Sequence, residues 1–367
     1  MARLTRTQFP GAPRPVVLLT GASSGLGLAT ARLLLAKTDW RLALTARASS
    51  LSRFAAAGIV AGDRVCILPL DVTDEAQRRE AVRTVEATWG RIDVLVNNAG
   101  IAYRSVLEHV NEVERIEQIH VNFRGPIALA ALVLPGMRAR RTGWILNISS
   151  VGGMMAMPTM SIYSASKFAL EGASEALWYE VRPWGIHVSL IEPGFINSES
   201  FERTLYTVQG RQSTDDQFDP YHAHYTNMSG FIGRFMRLSR SSPERVAETI
   251  LSTLLKRAPP LRVPATLDAH LFAWIRRLVP RSLYHELLYR LLPRVGTWGP
   301  AWEQLALSEP IPTEDDPTME LEPGDPGHRD PGVRLPPPTP TDRRLSATTS
   351  DSLAVSAPSV ATRNGSV

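Results

Sequence analysis

The 367-residue sequence predicts an α/β fold, a doubly wound parallel sheet, and three observations carry that prediction. Apolar runs of strand length recur along the front half, continuous rather than alternating, as strands covered on both faces require. Stretches of helical periodicity separate most of them. A glycine-rich turn joins the first run to the first helix, and folds of this kind bind ligands beyond the carboxyl ends of their strands.

The elements follow in chain order. "PVVLLTGASSGLGLATARLLLA" reads as a strand, a turn at Gly21, Gly25 and Gly27, and a helix of periodic leucine and alanine. "WRLALTAR", "RVCILPLDV" and "IDVLVNNAG" are the second, third and fourth strands, with "DEAQRREAVRTVEATWG" a helix before the last. "GWILNISS" is the fifth strand and "IHVSLIEPG" the sixth. Between them "YSASKFALEGASEALWYEV" reads as a helix that Pro183 ends. "LRVPA" reads as a last edge strand. Beyond it, apolar residues at 267, 271, 274, 275 and 278, then at 283, 284, 287, 288, 291 and 292, predict two amphipathic helices broken near Pro280.

Composition narrows the class. Hydrophobic residues make up 44% and charged residues 21%, enough for a sizeable core in a soluble chain. The single cysteine, Cys66, rules out an internal disulfide, suits a reducing compartment and reads as a small buried core residue. The N-terminus lacks a secretory signal, and no run approaches the ~18 apolar residues of a spanning helix. A net charge of +4, with no arginine block, argues against nucleic acid. Charge is unevenly placed: +8 over 234–294 and −7 over 309–330. Eleven of the 28 prolines lie from 308 onward, so 308–367 reads as a proline-rich acidic disordered tail.

The chemistry-bearing residues sit at strand ends. Glycines let the "TGASSGLG" backbone approach a phosphate, and the helix after it offers free N–H groups and a positive dipole end. At the end of the second strand, an acidic residue would accept hydrogen bonds from an adenosine ribose; here Ala46 and Arg47 stand instead. Arginine pairs with a ribose 2′-phosphate, which points to NADP(H) over NAD(H). Tyr163 and Lys167 are four apart on one helical face. Lys167 is one of only three lysines among 40 basic residues. An ammonium beside a phenol favours the phenolate and lowers its pKa, so Tyr163 becomes a usable acid or base. Lysine does this as a compact charge with rotatable donors, where arginine's planar fork is larger. Ser150 at the end of the fifth strand, or its neighbour Ser149, would hold a substrate oxygen near the phenol; alternation turns only one of the two toward it. His222 and His224 have no further ligands, and no metal is read from them.

"TGASSGLG", "LDVTD", "NNAG", Asn122 in "VNFRG", "SSVGG", "YSASK" and "EPG" resemble, in order and spacing, the short-chain dehydrogenase/reductase family over about residues 14 to 200. "SSVGGMMAMP…YSASKFALEG" is most similar to its estradiol and retinol dehydrogenase branch. The resemblance implies a Rossmann-type fold and a catalytic tetrad of Asn122, Ser150, Tyr163 and Lys167, with Asn122 holding a relay water. It implies that Gly21, Ser23, Ser24, Gly25, Leu26 and Gly27 wrap the pyrophosphate and adenosine ribose, while Asp71 and Val72 contact adenine. Asn98, Ala99 and Gly100 would line the cleft, and Pro193, Gly194 and Ile196 would lie beside the nicotinamide, with Arg47, Tyr163 and Lys167 also meeting the cofactor.

The expected organisation is a flexible start over 1–13 and one dinucleotide-binding catalytic domain over 14–300. Within the latter, 195–242 covers the substrate and 265–293 forms the amphipathic helices. Those helices pack over the pocket or a second subunit, or meet a membrane with Arg276, Arg277, Arg281 and Arg290 near head groups. The expected function is an NADP(H)-dependent oxidoreductase interconverting a lipophilic steroid-, retinoid- or lipid-like carbonyl and its alcohol. It is placed in the cytoplasm, with membrane association and a homodimer as further expectations. A 3-oxoacyl thioester reductase and an NADPH-binding regulator are the alternatives.

Overall fold

A computed structural model describes residues 14–197 and 205–299. The expected tail over 308–367 and start over 1–13 lie outside the described residues, as does part of the substrate-covering segment.

The front half alternates as read: β1 (Val16–Leu19), α1 (Gly25–Lys37), β2 (Arg41–Ala46), α2 (Ser52–Ala56), β3 (Val65–Pro69), α3 (Glu75–Trp89) and β4 (Val94–Asn97). A two-residue strand β5 (Tyr103–Arg104) precedes α4 (Glu112–Ile119) and α5 (Gly125–Arg140). Then come β6 (Gly143–Ile148), the short α6 (Val151–Met154), α7 (Ser161–Val181) and β7 (Ile186–Glu192). The rest is β8 (Leu205–Tyr206), α8 (Val208–Asp215), α9 (His222–Leu238), α10 (Pro243–Leu254), β9 (Arg262–Pro264), α11 (Leu267–Leu278) and α12 (Arg281–Leu291).

Seven strands form one parallel sheet in the order β3-β2-β1-β4-β6-β7-β9. The chain leaves β1 for β2 on one side and returns on the other at β4, so a crevice opens at the carboxyl end of β1. Alternation in β1 divides the core. Val17 and Leu19 pack with Leu34, Val246 and Ile250 on the α1–α10 face, while Val16 and Leu18 pack with Val85, Leu129 and Val133 on the other. Each such fully buried Leu or Val contributes about 1.5–3 kcal/mol of burial, so an ionisable residue at Leu18 would break this layer.

Three expectations need correction. Cys66 is only part-buried, because β3 is the edge strand; burial still raises its thiol pKa. Among the described residues one helix, Glu112–Arg140, is long and apolar enough by composition to cross a membrane, with mean hydropathy 1.2. It is α4 and α5 joined through a π-helical turn at His120–Arg124, and α5 lays Leu129, Val133 and Met137 onto the sheet. The third concerns α11 and α12. Both form and break at Pro280 as expected, but most of the apolar series read from the sequence faces outward. The inward contacts come from Phe272, Ala273, Ile275, Val279, Tyr284 and Leu288, packed on Met154 and Met155. The paired β5 and β8 are too short for any periodicity to announce.

Candidate active site

The crevice at β1 is shaped by backbone conformation. Gly21 has a φ of 63° and Gly25 one of 52°, in the left-handed region glycine occupies without strain. A Cβ on Gly21 would stand 2.8 Å from Ala99 Cα, and one on Gly27 would overlap the Gly21 carbonyl oxygen. β4 braces this turn. Asn98 Nδ2 donates to the carbonyls of Thr20 and Gly21 at 2.9 and 3.0 Å, while Thr20 Oγ1 accepts from the Asn98 and Ala99 amides at 3.0 Å. Ser24, at the cap of α1, makes no side-chain hydrogen bond to its helix, which leaves its hydroxyl available beside the helix's free amides. Ser23 is buried in the turn and Leu26 packs on the core. These residues fit a pyrophosphate: the cradle is largely backbone at the positive end of α1, with no room for a side chain at Gly21 or Gly27.

At the neighbouring strand ends, Arg47 is exposed just beyond buried Ala46. Asp71 Oδ1 accepts from the Thr73 amide and hydroxyl at 2.9 and 2.7 Å, so one carboxylate oxygen is committed to its own turn. Val72 is buried against Gly125, which has no room for a Cβ.

β6 and α7 bring the reactive side chains together. Ser150 lies just beyond β6 and caps α6, accepting from the Gly152 amide at 3.1 Å; a Cβ on Gly152 would meet both the Tyr163 ring at 3.0 Å and Ser150 Oγ at 3.5 Å, which places the serine beside the tyrosine. Ser149 turns the other way and donates to Glu171 Oε1 at 2.7 Å. The packing of α7 therefore resolves the pair: Ser150 lies on the Tyr163 side. Lys167 is buried one helical turn from Tyr163, its Nζ 5.8 Å from the ring centroid and 2.9 Å from the Ile148 carbonyl oxygen it donates to. Asn122 is fully buried in the π turn. Its Oδ1 accepts from the Ile101 amide at 2.9 Å, and its Nδ2 donates to the Ile101 carbonyl and to Ser166 Oγ at 2.8 and 3.0 Å. A Cβ on Gly100 would sit 3.3 Å from Asn122 Oδ1 and 3.8 Å from Lys167 Nζ, which brings the fourth strand's end to the same point.

The electrostatics differ from the sequence expectation. Burial raises the Tyr163 pKa, against the Ser150 hydrogen bond that lowers it. Burial also pushes Lys167 down to about 8, with the charge of Glu171 opposing. Burial thus decides the direction for the phenol, which lies above the ordinary tyrosine value in the protein by itself.

Sequence reasoning missed the residues that hold these groups. The loop after β7 is fastened from α11: the Gly194 amide donates to Thr266 Oγ1 at 2.9 Å and the Phe195 amide to Asp268 Oδ2 at 2.8 Å. A Cβ on Gly194 would overlap the Asp268 carboxylate. Pro193 accepts from the Val151 amide at 2.9 Å, and Ile196 packs on the α1–α10 core. Arg262 of β9 bonds Glu171, and also Glu192 and Glu175 at 2.9 and 3.1 Å, tying the edge strand to the tyrosine helix. Thr159, just before α7, is buried with a φ of 61°, a strained conformation for a β-branched residue. A helix-cap pattern, Thr-x-Asp at 266–268, was the one readable signal among these. His222 and His224 pack instead: His222 Nδ1 lies 3.2 Å from the Ser213 carbonyl and the His224 ring stacks on Trp298.

Beside Ser150 and the Gly194 loop the packing is apolar: Met154, Met155, Met157, Phe195 and Phe272 belong to two adjoining hydrophobic clusters.

Residues 15–207 match the sequence model of the short chain dehydrogenase family. The chain is 42% identical over 275 residues to a 3-ketodihydrosphingosine reductase of Bacteroides thetaiotaomicron, covering 74% of this chain and 96% of that protein. It is 34% identical over 255 residues to human 17-beta-hydroxysteroid dehydrogenase type 1, covering 68% and 76%. Among solved structures, a short-chain dehydrogenase from Streptomyces avermitilis superposes with a TM-score of 0.63 at 32% identity, over 80% of this chain and 98% of that one.

Proposed function

The chain belongs to the short-chain dehydrogenase family, near the estradiol and retinol dehydrogenase branch, and from that premise we propose a reductase of lipophilic carbonyls that uses NADPH. Membership makes it an enzyme of CH–OH and C=O groups with a nicotinamide cofactor. The observation that carries the finer reading is the juxtaposition of Ser150, Tyr163 and buried Lys167 beyond the carboxyl end of β6.

The residues divide the work. Gly21, Ser23, Ser24, Gly25, Leu26 and Gly27 would hold the pyrophosphate and ribose, Asp71 and Val72 the adenine, and Asn98, Ala99 and Gly100 the cleft wall. Pro193, Gly194 and Ile196 would flank the nicotinamide. Arg47, exposed where an acid would select NAD(H), would pair with a 2′-phosphate. A nicotinamide cofactor held there would supply the hydride that the carbonyl carbon takes up. Ser150 Oγ donates to the carbonyl oxygen, and Tyr163 passes its phenolic proton to that oxygen as charge develops there. Lys167 holds positive charge beside the phenol, which favours the phenolate left behind, and Asn122 fixes the floor under it.

The substrate class rests on the apolar Met and Phe clusters packed beside Ser150 and on the 42% identity to a 3-ketodihydrosphingosine reductase. Long-chain 3-ketones therefore lead the candidates, ahead of steroid and retinoid carbonyls. The test is NADPH oxidation against such ketones, ketosteroids, retinal and 3-oxoacyl thioesters, with Tyr163→Phe as control. Turnover of the long-chain ketone lost in the variant is expected; turnover that survives Tyr163→Phe would overturn the mechanism. The same reading includes a homodimer through α7, where Phe168 and Tyr179 are exposed at 36% and 62%. Light scattering of the purified chain checks it.

A further inference from the structure

We propose that the outer face of α11 and α12 docks on an anionic lipid surface. Leu267, Leu271, Trp274 and Leu278 follow one another at spacings of four, three and four, so they form one stripe along α11. They are 79%, 57%, 68% and 58% exposed. Leu283, Leu287 and Leu291 continue it on α12, at 60%, 42% and 63%. An outward apolar stripe on two consecutive helices is more than the scattered exposed leucines of an ordinary surface. It is not the face that packs the fold, since Phe272, Ile275, Val279 and Tyr284 do that from the opposite side.

Charge selects the occupant. Arg277 and Arg294 are exposed on and just beyond these helices; Arg290 is exposed beside Glu286, and Arg276 is exposed with its guanidinium 5.4 Å from the Phe168 ring centroid of α7. The two acidic residues of the same stretch are spent: Asp268 on the Phe195 amide and Glu286 on Arg290 at 2.8 Å. A leucine and tryptophan stripe edged by arginines matches an interfacial helix pair, with apolar side chains in the acyl boundary and guanidinium groups at phosphates. A second copy of this chain would bring the same arginines against each other, and the acidic segment 309–330 offers charge but few large apolar side chains to cover leucine and tryptophan.

The position has a consequence for the site. α11 holds the Gly194–Phe195 loop at its first turn, and its inner face covers the methionines after Ser150. A lipid surface on the outer face therefore lies one helix away from the methionines that follow Ser150, on the side from which a membrane-partitioned substrate would approach; this last step rests on the function proposed above, whereas the docking does not.

The experiment is sedimentation of the full chain with phosphatidylcholine vesicles, with and without 30% phosphatidylglycerol, at ~0.1 and ~0.5 M salt. The comparison is the double variant Leu271→Gln/Trp274→Gln, checked for native melting and followed by light scattering. Binding to the anionic vesicles that weakens with salt and drops at least ~10-fold in the variant is expected. No binding to anionic vesicles overturns the proposal, as does equal binding by the variant. A wild-type dimer that the variant converts to monomer, with vesicle binding absent, assigns the face to a second copy instead. Because no turnover is read, a wrong substrate class leaves this result untouched.

Discussion

Arg262→Gln should destabilise the protein in a pH-dependent way. In the native chain one guanidinium serves Glu171 and Glu192, which are only 4% and 2% exposed. Even with it, burial and the like charge of Glu171 lift the Glu192 carboxyl to about 7. Its folded pKa lies above the ordinary 4.5, so the folded state binds more protons than the unfolded between those values, and stability falls as pH rises from about 4.5 to about 7. Removing one partner of a buried ion pair costs about 3–5 kcal/mol. The Arg262 side chain is itself 41% exposed and water reaches it, so the lower end, about 3 kcal/mol, applies at pH 8. That is a fall of roughly 6–12 °C in melting temperature. At pH 5 Glu192 is protonated, so the substitution deprives only Glu171 of its guanidinium and the loss should be smaller than at pH 8. Urea unfolding of both proteins at the two pH values is the assay. Equal destabilisation at pH 5 and pH 8 would refute the account of a charge cluster held by Arg262.

Other outcomes test the site directly. Tyr163→Phe should lower kcat by ~10²–10⁴-fold with cofactor affinity nearly unchanged, measured by turnover and NADPH fluorescence titration. With Lys167 at about 8, kcat/KM for carbonyl reduction should fall above that pH as the ammonium is lost. The same depressed pKa means the folded state holds fewer protons between about 8 and 10.5, so stability should gain as pH rises through that window, and Lys167→Met should abolish the gain. Gly194→Ala should weaken NADPH binding by displacing the Asp268 carboxylate, and adding Asp268→Ala should restore part of it; calorimetric titration of the three proteins decides. Arg47→Asp should move the preference from NADPH toward NADH, read as the ratio of their KM values.

Local physics wrote much of this protein into its sequence. Continuous apolar runs such as "VVLL" and "VLVN" declare strands covered on both faces, and the turn between β1 and α1 needs glycine because Gly21 has a positive φ against Ala99. Tyr163 and Lys167 share a face because helical geometry places residues four apart together. The choice between Ser149 and Ser150 was different. Alternation says that they diverge, yet only the packing of α7 on β6 shows which one meets the phenol. The pKa of Tyr163 also depended on burial, which no spacing reveals. Contacts between segments distant in the chain were equally silent: Asp268 reaches Phe195 across 73 residues and Arg262 reaches Glu171 across 91. The outward turn of the α11 stripe belongs with them. A helix's periodicity states that it has an apolar face, but which face meets the core depends on what the rest of the chain places beneath it.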